Sequence, residues 1–580
     1  MASALVREVV RFVDVQPATG TRRKAWHALV VGTVTIGLLS IVVGIPTALT
    51  GLNGIFVAIG AFDRSQRSRM RVLAGISVAY TGLVTLGALT SMLPVWWTVI
   101  VVALLSTVVA FGYHALLSDP PGPMLLIMGL CVASYIPTLG VPITTIVLAT
   151  ALSMVIGCTT SVLLQQGQRR AAVERHVAAL RTSVGAFERG MDQGLGEREL
   201  GPLRDAAFGA LFQAQASLVA SLPRHGQPSR RAQPIEDELH ALHLRLYRDL
   251  AARALPWVHL DDDAIAGHYI GAPRASYLLR WSLSLASPAW LNARRTGLAI
   301  LLAGTVSTLF HFSHPYWAQM TAALVLSTST DRVTSSRRAA HRVVGTAAGV
   351  LLFYGIHQFT PAPVVVAAII VICASVTQLL ATRHYALASV VITPMPLLVA
   401  SLHLAGSVAP LIRARLLETV IGALAALVVL WAQGGRTSVL LVRRQFRQAV
   451  RALSVAMHAI GADPRQERTL AVRRNLHFEQ LAAAKVLDMV GPDHPAQLET
   501  WDDFEAAMSE LTYTVLIAAR TDDPGAALDW PAMATRLDDF VDALPPVSGR
   551  PIDAVAAAHT LHEILALGRD AAPGRRREPA

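Results

Sequence analysis

The sequence predicts an all-α, polytopic helical membrane protein. It is expected as two parallel repeats of six transmembrane helices, each followed by a helical cytoplasmic domain. Three observations carry this. The 580 residues are 53% hydrophobic, with a mean hydropathy of +0.46. Segments 25–62, 72–117, 120–168, 296–330, 343–382, 384–412 and 419–435 contain no Asp, Glu, Lys or Arg. Apolar runs beyond about 18 residues are long enough to cross a bilayer as helices. The charged residues collect in two long polar segments and in short arginine-rich breaks.

Residues 1–24 form a cytoplasmic N-terminal segment. The first apolar run outlasts a signal-peptide core, so Trp26 onward is read as a retained span. Residues 25–167 hold six spans, near 25–43, 45–62, 72–93, 95–117, 123–139 and 142–164. Gly44-Ile45-Pro46, Leu93-Pro94, "DPPGP" and "LGVP" mark their turns. Residues 168–293 are the first helical cytoplasmic domain. Residues 294–433 hold six more spans, near 295–312, 315–331, 342–358, 362–381, 385–403 and 409–432. Residues 434–580 are the second helical cytoplasmic domain, and the tail "GRDAAPGRRREPA" is expected to be disordered. Stretches such as "RRAAVERHVAALRTSVGAFERGM" and "VLLVRRQFRQAVRALSVAMHAI" repeat their apolar residues at the helical period.

Orientation follows the arginines. The break at 63–71, "DRSQRSRMR", holds Arg64, Arg67, Arg69 and Arg71. The loop at 331–342 holds Arg332, Arg337, Arg338 and Arg342. The alternate turns near 44, 94, 140, 313, 360 and 405 hold no Lys or Arg. Both termini and both polar segments are therefore expected inside, in the plasma or inner membrane. The halves also echo each other. Asp63-Arg64 corresponds to Asp331-Arg332, and "SMVIGC" at 153–158 to "ETVIGA" at 418–423. An even number of spans per half makes the repeat parallel, with a pathway along its axis.

Composition narrows the function. The net charge of +11 comes from arginine, and Lys24 and Lys485 are the two lysines. Neither follows a glycine-rich loop, so no P-loop is present. The arginines follow the topology rather than a nucleic-acid face, so no nucleic acid is expected as a partner. Cys131, Cys158 and Cys373 lie in apolar spans without a Cys-x-x-Cys spacing, which argues against disulfides and thiolate zinc. "HALH" at 240–243 has loose metal-ligand spacing without further ligands. No HExxH, Gly-x-Ser-x-Gly or dinucleotide fingerprint appears, so no catalytic residue, enzyme activity, cofactor or metal is expected.

The run "HPYWAQMTAALVLSTSTDRVTSSRRAAHRVVGTAAGVLL" has a Tyr-Trp pair opening a span and a hydroxyl-rich end. Arg-x₃-Arg-Val-x-Gly-Thr-x₂-Gly follows, from Arg338 through Thr346 to Gly349. With "RLLETVIGALAAL" at 415–427, it makes 294–432 resemble the fusaric acid resistance (FUSC) family of membrane proteins. The resemblance implies an inner-membrane protein similar to aromatic acid exporters. Aluminium-activated malate transporters, which are anion channels, are similar in layout. Both precedents move organic anions. The first half lacks the Tyr-Trp and Gly-Thr-x₂-Gly features and reads as a diverged copy.

Candidate pathway residues follow. Arg332, Arg337, Arg338 and Arg342, with the hydroxyl of Thr330 and with Asp331 pairing one of the arginines, form either a topology signal alone or a basic vestibule that gathers anions. Arg413, Arg415 and Glu418 open the last span on its outer side, where arginine is unexpected. A charge within a span costs at least about 2.5–3.5 kcal/mol, so it faces a cavity or a partner unless it snorkels to headgroups. Arg415 and Glu418, three apart on a helix, can pair. Thr150 and Ser153 stand at the corresponding positions of the first half. Tyr316 and Trp317 are either interfacial anchors or a stacking surface for an aromatic substrate. His311, His314, His357 and His403 at outer turns, and His384 at an inner one, are candidates for proton coupling.

The expected function is efflux of organic anions, aromatic carboxylic acids among them, by proton-coupled secondary transport. An anion channel of the malate-channel type and a membrane scaffold with partner-binding cytoplasmic domains are the alternatives. The expected partners are membrane lipid and small organic anions. A second copy of the chain and a periplasmic adaptor stay open.

Overall fold

A computed structural model describes residues 20–51, 53–59, 66–116, 122–165, 171–221, 233–260, 273–284, 287–326, 332–402, 407–463, 467–491, 494–521, 523–570 and 572. Among these residues all regular elements are helical, and the extended pairing present is an isolated bridge between Leu260 and Thr521. The chain divides into two compact units, Met1–Gly167 with Leu279–Gly434, and Gln168–Leu278 with Gly435–Ala580.

The first unit opens with α1 (Thr21–Val43), α2 (Ile45–Thr50), α3 (Asn53–Ile59), α4 (Gln66–Thr90), α5 (Val95–Leu116), α6 (Met124–Ala133), a 3₁₀ turn at Ile136–Leu139, and α7 (Ile143–Leu164). After the first polar segment, whose helices are α8 (Ala171–Asp192), α9 (Glu197–Ser221) and α10 (Gln233–Ala254), the short α11 (Ala275–Ser282) leads back to it. Its second part is α12 (Pro288–Leu309), α13 (Pro315–Leu326), α14 (Arg332–His357), α15 (Pro363–Leu380), α16 (Tyr385–Ile392), α17 (Pro394–Ser401) and α18 (Ala409–Ala432). Local signals set these ends. Ser287 caps α12, its Oγ accepting from the Trp290 amide at 3.1 Å, with Pro288 next in line. Gly44 closes α1 at φ 76°, a conformation that suits glycine.

Among the described residues seven helices are long and apolar enough to cross a membrane: α1, α4, α5, α7, α14, α15 and α18. Met124–Leu139 and Tyr385–Ser401 are shorter apolar stretches. The chain is a multi-pass helical membrane protein. Its packing has the sense a lipid solvent demands. Ile41, Val42, Leu104, Val108, Val155 and Leu351 are exposed, while Ser106, Ser153, Ser161, Ser307 and Thr321 are buried.

Two expectations about elements are corrected. The arginine stretch at 332–342 is not a loop, because α14 begins at Arg332 and carries all four arginines in its first three turns, and the loop expected at 63–71 is likewise helical from Gln66, where α4 carries Arg67, Arg69 and Arg71. No glycine or proline interrupts 332–344, and Arg and Ala are strong helix formers. Four expected spans are short or broken. The second divides into α2 and α3 around Gly51, and the fifth ends in the 3₁₀ turn at Pro137. The eighth is described over the twelve residues of α13, and the eleventh breaks at Thr393-Pro394 between α16 and α17. Proline removes a helical donor, which explains the breaks at 137 and 394.

The neighbours within this unit recur. α1 packs on α7 and α15, and α12 on α18 and α5. α4 packs on α6 and α7, and α14 on α16 and α18. α3 packs on α7, and α13 on α18 and α6.

The second unit joins the two polar segments. Its later helices are α19 (Gly434–Ala462), α20 (Glu467–Val490), the single turn α21 (Pro495–Leu498), α22 (Trp501–Ala518), the single turn α23 (Pro524–Ala527), α24 (Trp530–Ala543) and α25 (Ala554–Asp570). The segments, read from sequence as two helical domains, share a core here. Phe208 of α9 stacks on Tyr513 of α22 with centroids 3.7 Å apart, and Arg198 meets Asp503 at 2.7 Å. The tail expected to be disordered begins instead as helix, since Gly568, Arg569 and Asp570 end α25 and Arg569 meets Glu510 at 3.2 Å; residues 573–580 lie outside the described residues, as do Thr330, Asp331 and His403.

Candidate functional site: a buried arginine centre

α18 runs without a break from Pro410, and its buried residues up to 423 are Leu411, Ala414, Arg415, Glu418, Thr419, Gly422 and Ala423. That is the three-and-four spacing of one helical face. Arg415 and Glu418 are therefore interior, both with 0% exposure, while Arg413 falls on the opposite side and is exposed. Gly422 sets how close this face comes to α13. A Cβ there would stand 2.3 Å from the Ala318 carbonyl, so only glycine lets the two backbones meet.

This contact carries Arg415 to the start of α13. Its Cζ lies 5.0 Å from the centroid of the Trp317 ring, a cation–π distance. Glu418 takes a different partner. Its Oε1 accepts from the His314 amide at 2.9 Å, just ahead of α13. A carboxylate there also meets the positive end of the helix dipole. The expected Arg415–Glu418 pairing does not form, because each side chain is drawn to a different feature of α13's first turn. Their separation is still small enough for electrostatic interaction.

An aromatic group surrounds this turn. The His314 ring stacks on Trp317 with centroids 4.6 Å apart, and its Nε2 lies 2.9 Å from the Tyr135 hydroxyl. Tyr135 comes from the turn after α6 and stacks on Tyr316 at 4.7 Å. Tyr316 and Trp317 are buried, so their rings are interior rather than interfacial anchors.

α14 supplies a second buried cation. Arg342 has 0% exposure, lies beside Tyr385, and is within electrostatic reach of Arg415. One turn before it, Arg338 sits over the Tyr385 ring at 4.3 Å. One turn after it, Thr346 is buried, with no hydrogen-bond partner for its hydroxyl among the described residues. Gly345 and Gly349 bring α14 onto α16. A Cβ on either would stand 2.6 Å from a backbone oxygen, that of Ala386 or of Val390. The Gly-Thr-x₂-Gly pattern is thus a packing seam that holds Arg342 against Tyr385. Arg332 is apart from this group, over the Trp431 ring at 5.2 Å, and Arg337 is half-buried.

Nε, Nη1 and Nη2 of both Arg342 and Arg415 have no hydrogen-bond partner among the described residues. The first half is different. Its buried Arg69 donates to the Ala58 carbonyl at 3.0 Å and also to Ser161 and Gln165. Ser153 donates to the Gly51 carbonyl, and Thr150 is buried and uncharged. Arg342 has the Tyr385 hydroxyl beside it, whereas Arg415 has no such neighbour among the described residues, and two buried guanidinium groups so placed suit a carboxylate or another oxyanion.

Of the residues sequence reasoning points to, the structure brings Arg342, Arg415, Glu418, Tyr316 and Trp317 together, with Arg338 and Thr346 one turn either side of Arg342; Arg332, Arg337 and Arg413 stand apart, and Thr330 and Asp331 lie outside the described residues. Sequence reasoning treats His314 as one of several outer-turn histidines, and it misses Tyr135 and Tyr385. The available signal is interruption: Tyr135 precedes Ile136-Pro137 and Tyr385 opens the span that Pro394 breaks. Short or broken apolar segments point to membrane binding sites.

Residues 301–429 match the family model described as fusaric acid resistance protein-like. This segment contains α13, α14, α16 and most of α18, and with them every residue of the arginine centre except Tyr135. The uncharacterized membrane protein YvaC of Bacillus subtilis (strain 168) is similar, at 29% identity over 174 residues. That alignment covers 29% of this chain and 27% of YvaC, so the match spans about a quarter of the relative's length. No solved structure matches the chain.

Proposed function

We propose, from the premise that 301–429 is a fusaric acid resistance-like module, that the protein exports organic anions across the plasma membrane, aromatic carboxylic acids among them. The observation that carries this is the pair of buried arginines with unused donors. A buried cation without hydrogen bonds is costly, by about 1–3 kcal/mol for each unmet buried group, and a bound carboxylate removes that cost. Arg415 and Arg342 would hold the carboxylate, with the rings of Tyr316, Trp317 and Tyr135 beside it to accept an aromatic body. Arg337 and Arg338, nearer the start of α14, would gather anions at the inner mouth, and Arg413 would lie outside the site.

The parallel six-plus-six repeat belongs to the same proposal. In each half the second and fifth spans are the short or broken ones. The contacts also correspond: first span with sixth, third with fifth and sixth, and the first span of each half with the fourth of the other. Secondary transporters use such halves to rock about a site at their interface. Arginine placement supports cytoplasmic termini, and a pH gradient is the expected driving force.

The test is flux in proteoliposomes with an imposed pH gradient and a panel of aromatic carboxylates. The wild type should move at least one of them. Arg415→Gln, inserted normally, should lose flux or need at least tenfold more substrate for half-saturation. Flux unchanged in Arg415→Gln would overturn the site, and absence of flux for the whole panel would overturn the function.

A further inference from the structure

We propose that Glu418 takes up a proton when an anion binds Arg415, so that loading leaves the charge of the site unchanged; this rests on the anion-transport reading above. Glu418 is fully buried. One of its oxygens accepts the His314 amide, and Oε2 has no hydrogen-bond partner among the described residues. The Ala318 amide adds a further attraction.

The groups facing it are few. Arg415 lies on its own helix. Tyr316 comes from α13, with His314 just before it, and Tyr135 from the turn after α6. Arg342 of α14 and Tyr385 of α16 lie beyond Arg415. The arginines are the cations of this set, and Arg415 is the nearer. On the alkaline side, where Glu418 of the empty site is ionised, it and Arg415 offset each other. An anion on Arg415 cancels that support, and a buried carboxylate left with amide hydrogen bonds alone is strongly disfavoured. The remedy is local: a proton from water binds Oε2. The summed charge of Arg342, Arg415, Glu418 and cargo is then the same loaded as empty.

This makes Glu418 a second binding site, for a proton, rather than only the cap of α13. The consequence is thermodynamic, since a proton and an anion that favour each other's binding must do so reciprocally.

The experiment uses the full chain in detergent with benzenesulfonate, an aromatic anion that stays ionised and so brings no proton of its own. Binding is read by tryptophan fluorescence, and proton uptake by calorimetry in two buffers of different ionisation enthalpy. At alkaline pH, where Glu418 of the empty site is ionised, the wild type should take up about one proton per bound sulfonate, with affinity falling about tenfold per pH unit. Glu418→Gln should bind with no proton uptake and no such pH dependence, and Arg415→Gln should not bind. Arg415-dependent binding without proton uptake in the wild type would overturn the proposal, whether or not Glu418→Gln folds. Proton uptake persisting in Glu418→Gln would overturn it too. If the wild type binds no sulfonate, the anion reading itself fails, and this inference with it.

Discussion

At the scale of single residues, the arginines should separate by burial. Arg342→Gln removes a cation screened little by salt and should cost at least tenfold in transport efficiency at any ionic strength. Arg337→Gln and Arg338→Gln should cost less, and the loss should shrink as salt rises, because charges near water are screened within about 8 Å at physiological ionic strength. Flux at low and high salt checks both. In the second unit, burial pushes the imidazole of His243 down to about 3 and that of His477 to about 4. Below the ordinary histidine value the unfolded chain takes up protons that the fold refuses. Their stabilising effect is therefore present above pH 6.5 and is lost as pH falls toward 4, by about 1.4 kcal/mol per histidine per pH unit. Hydrogen exchange in α10 and α20 should accelerate at pH 5.5, beyond its intrinsic change, and His477→Leu should blunt the effect. Glu505 has the opposite sign. Burial, then the Asp205 charge, holds its carboxyl well above the usual range. The fold keeps a proton that the unfolded chain releases, so stability falls as pH rises above about 4.5, and Glu505→Gln should flatten that slope. Arg415 and Glu418 were legible in the sequence because a charge inside an apolar run is conspicuous. Tyr135 was not, since its hydroxyl meets His314 across 179 positions of chain, and no local pattern records that.

At the scale of elements, α14 has two requirements. Its early turns are polar enough to read as a loop, yet they continue as helix because nothing in 332–344 breaks it. Its middle must lie against α16, and Gly349→Val tests this. The added side chain would start 2.6 Å from the Val390 carbonyl, a backbone atom that cannot swing away. Folded yield after detergent extraction should fall severely, whereas Gly355→Val, at a glycine with open space around it, should be tolerated. The existence of the long apolar helices was legible from charge-free length, and the break before Pro394 from proline chemistry. The helical state of 332–342 was not, because arginine serves as well in a helix as in a loop, and what decided it was the absence of a breaker.

At the scale of the whole molecule, sidedness is open to a direct measurement. Cysteine at exposed Ser313 and at exposed Val333, in a background lacking Cys131, Cys158 and Cys373, should react oppositely with an impermeant thiol reagent in intact cells. Ser313→Cys should label from outside, and equal labelling of both would overturn the cytoplasmic assignment of the arginine stretch. The two polar segments were legible as helical, but their shared core was not, since amphipathic helices show that a face must be covered without naming what covers it. That shared core has a consequence for how the protein is made. Residues 168–278 leave the ribosome well before 435–570, and all of 279–434 must be synthesised in between. At about 5–20 residues per second, the apolar faces of α8, α9 and α10 wait on the order of ten seconds or more for α22 to arrive. During that interval Phe208 has no Tyr513 to lie against. Nascent chains arrested before residue 501 should therefore be cut by protease within α9, and chains arrested after residue 570 should not. Biogenesis of this unit depends on whatever shelters a half-built helical core while the later spans are inserted.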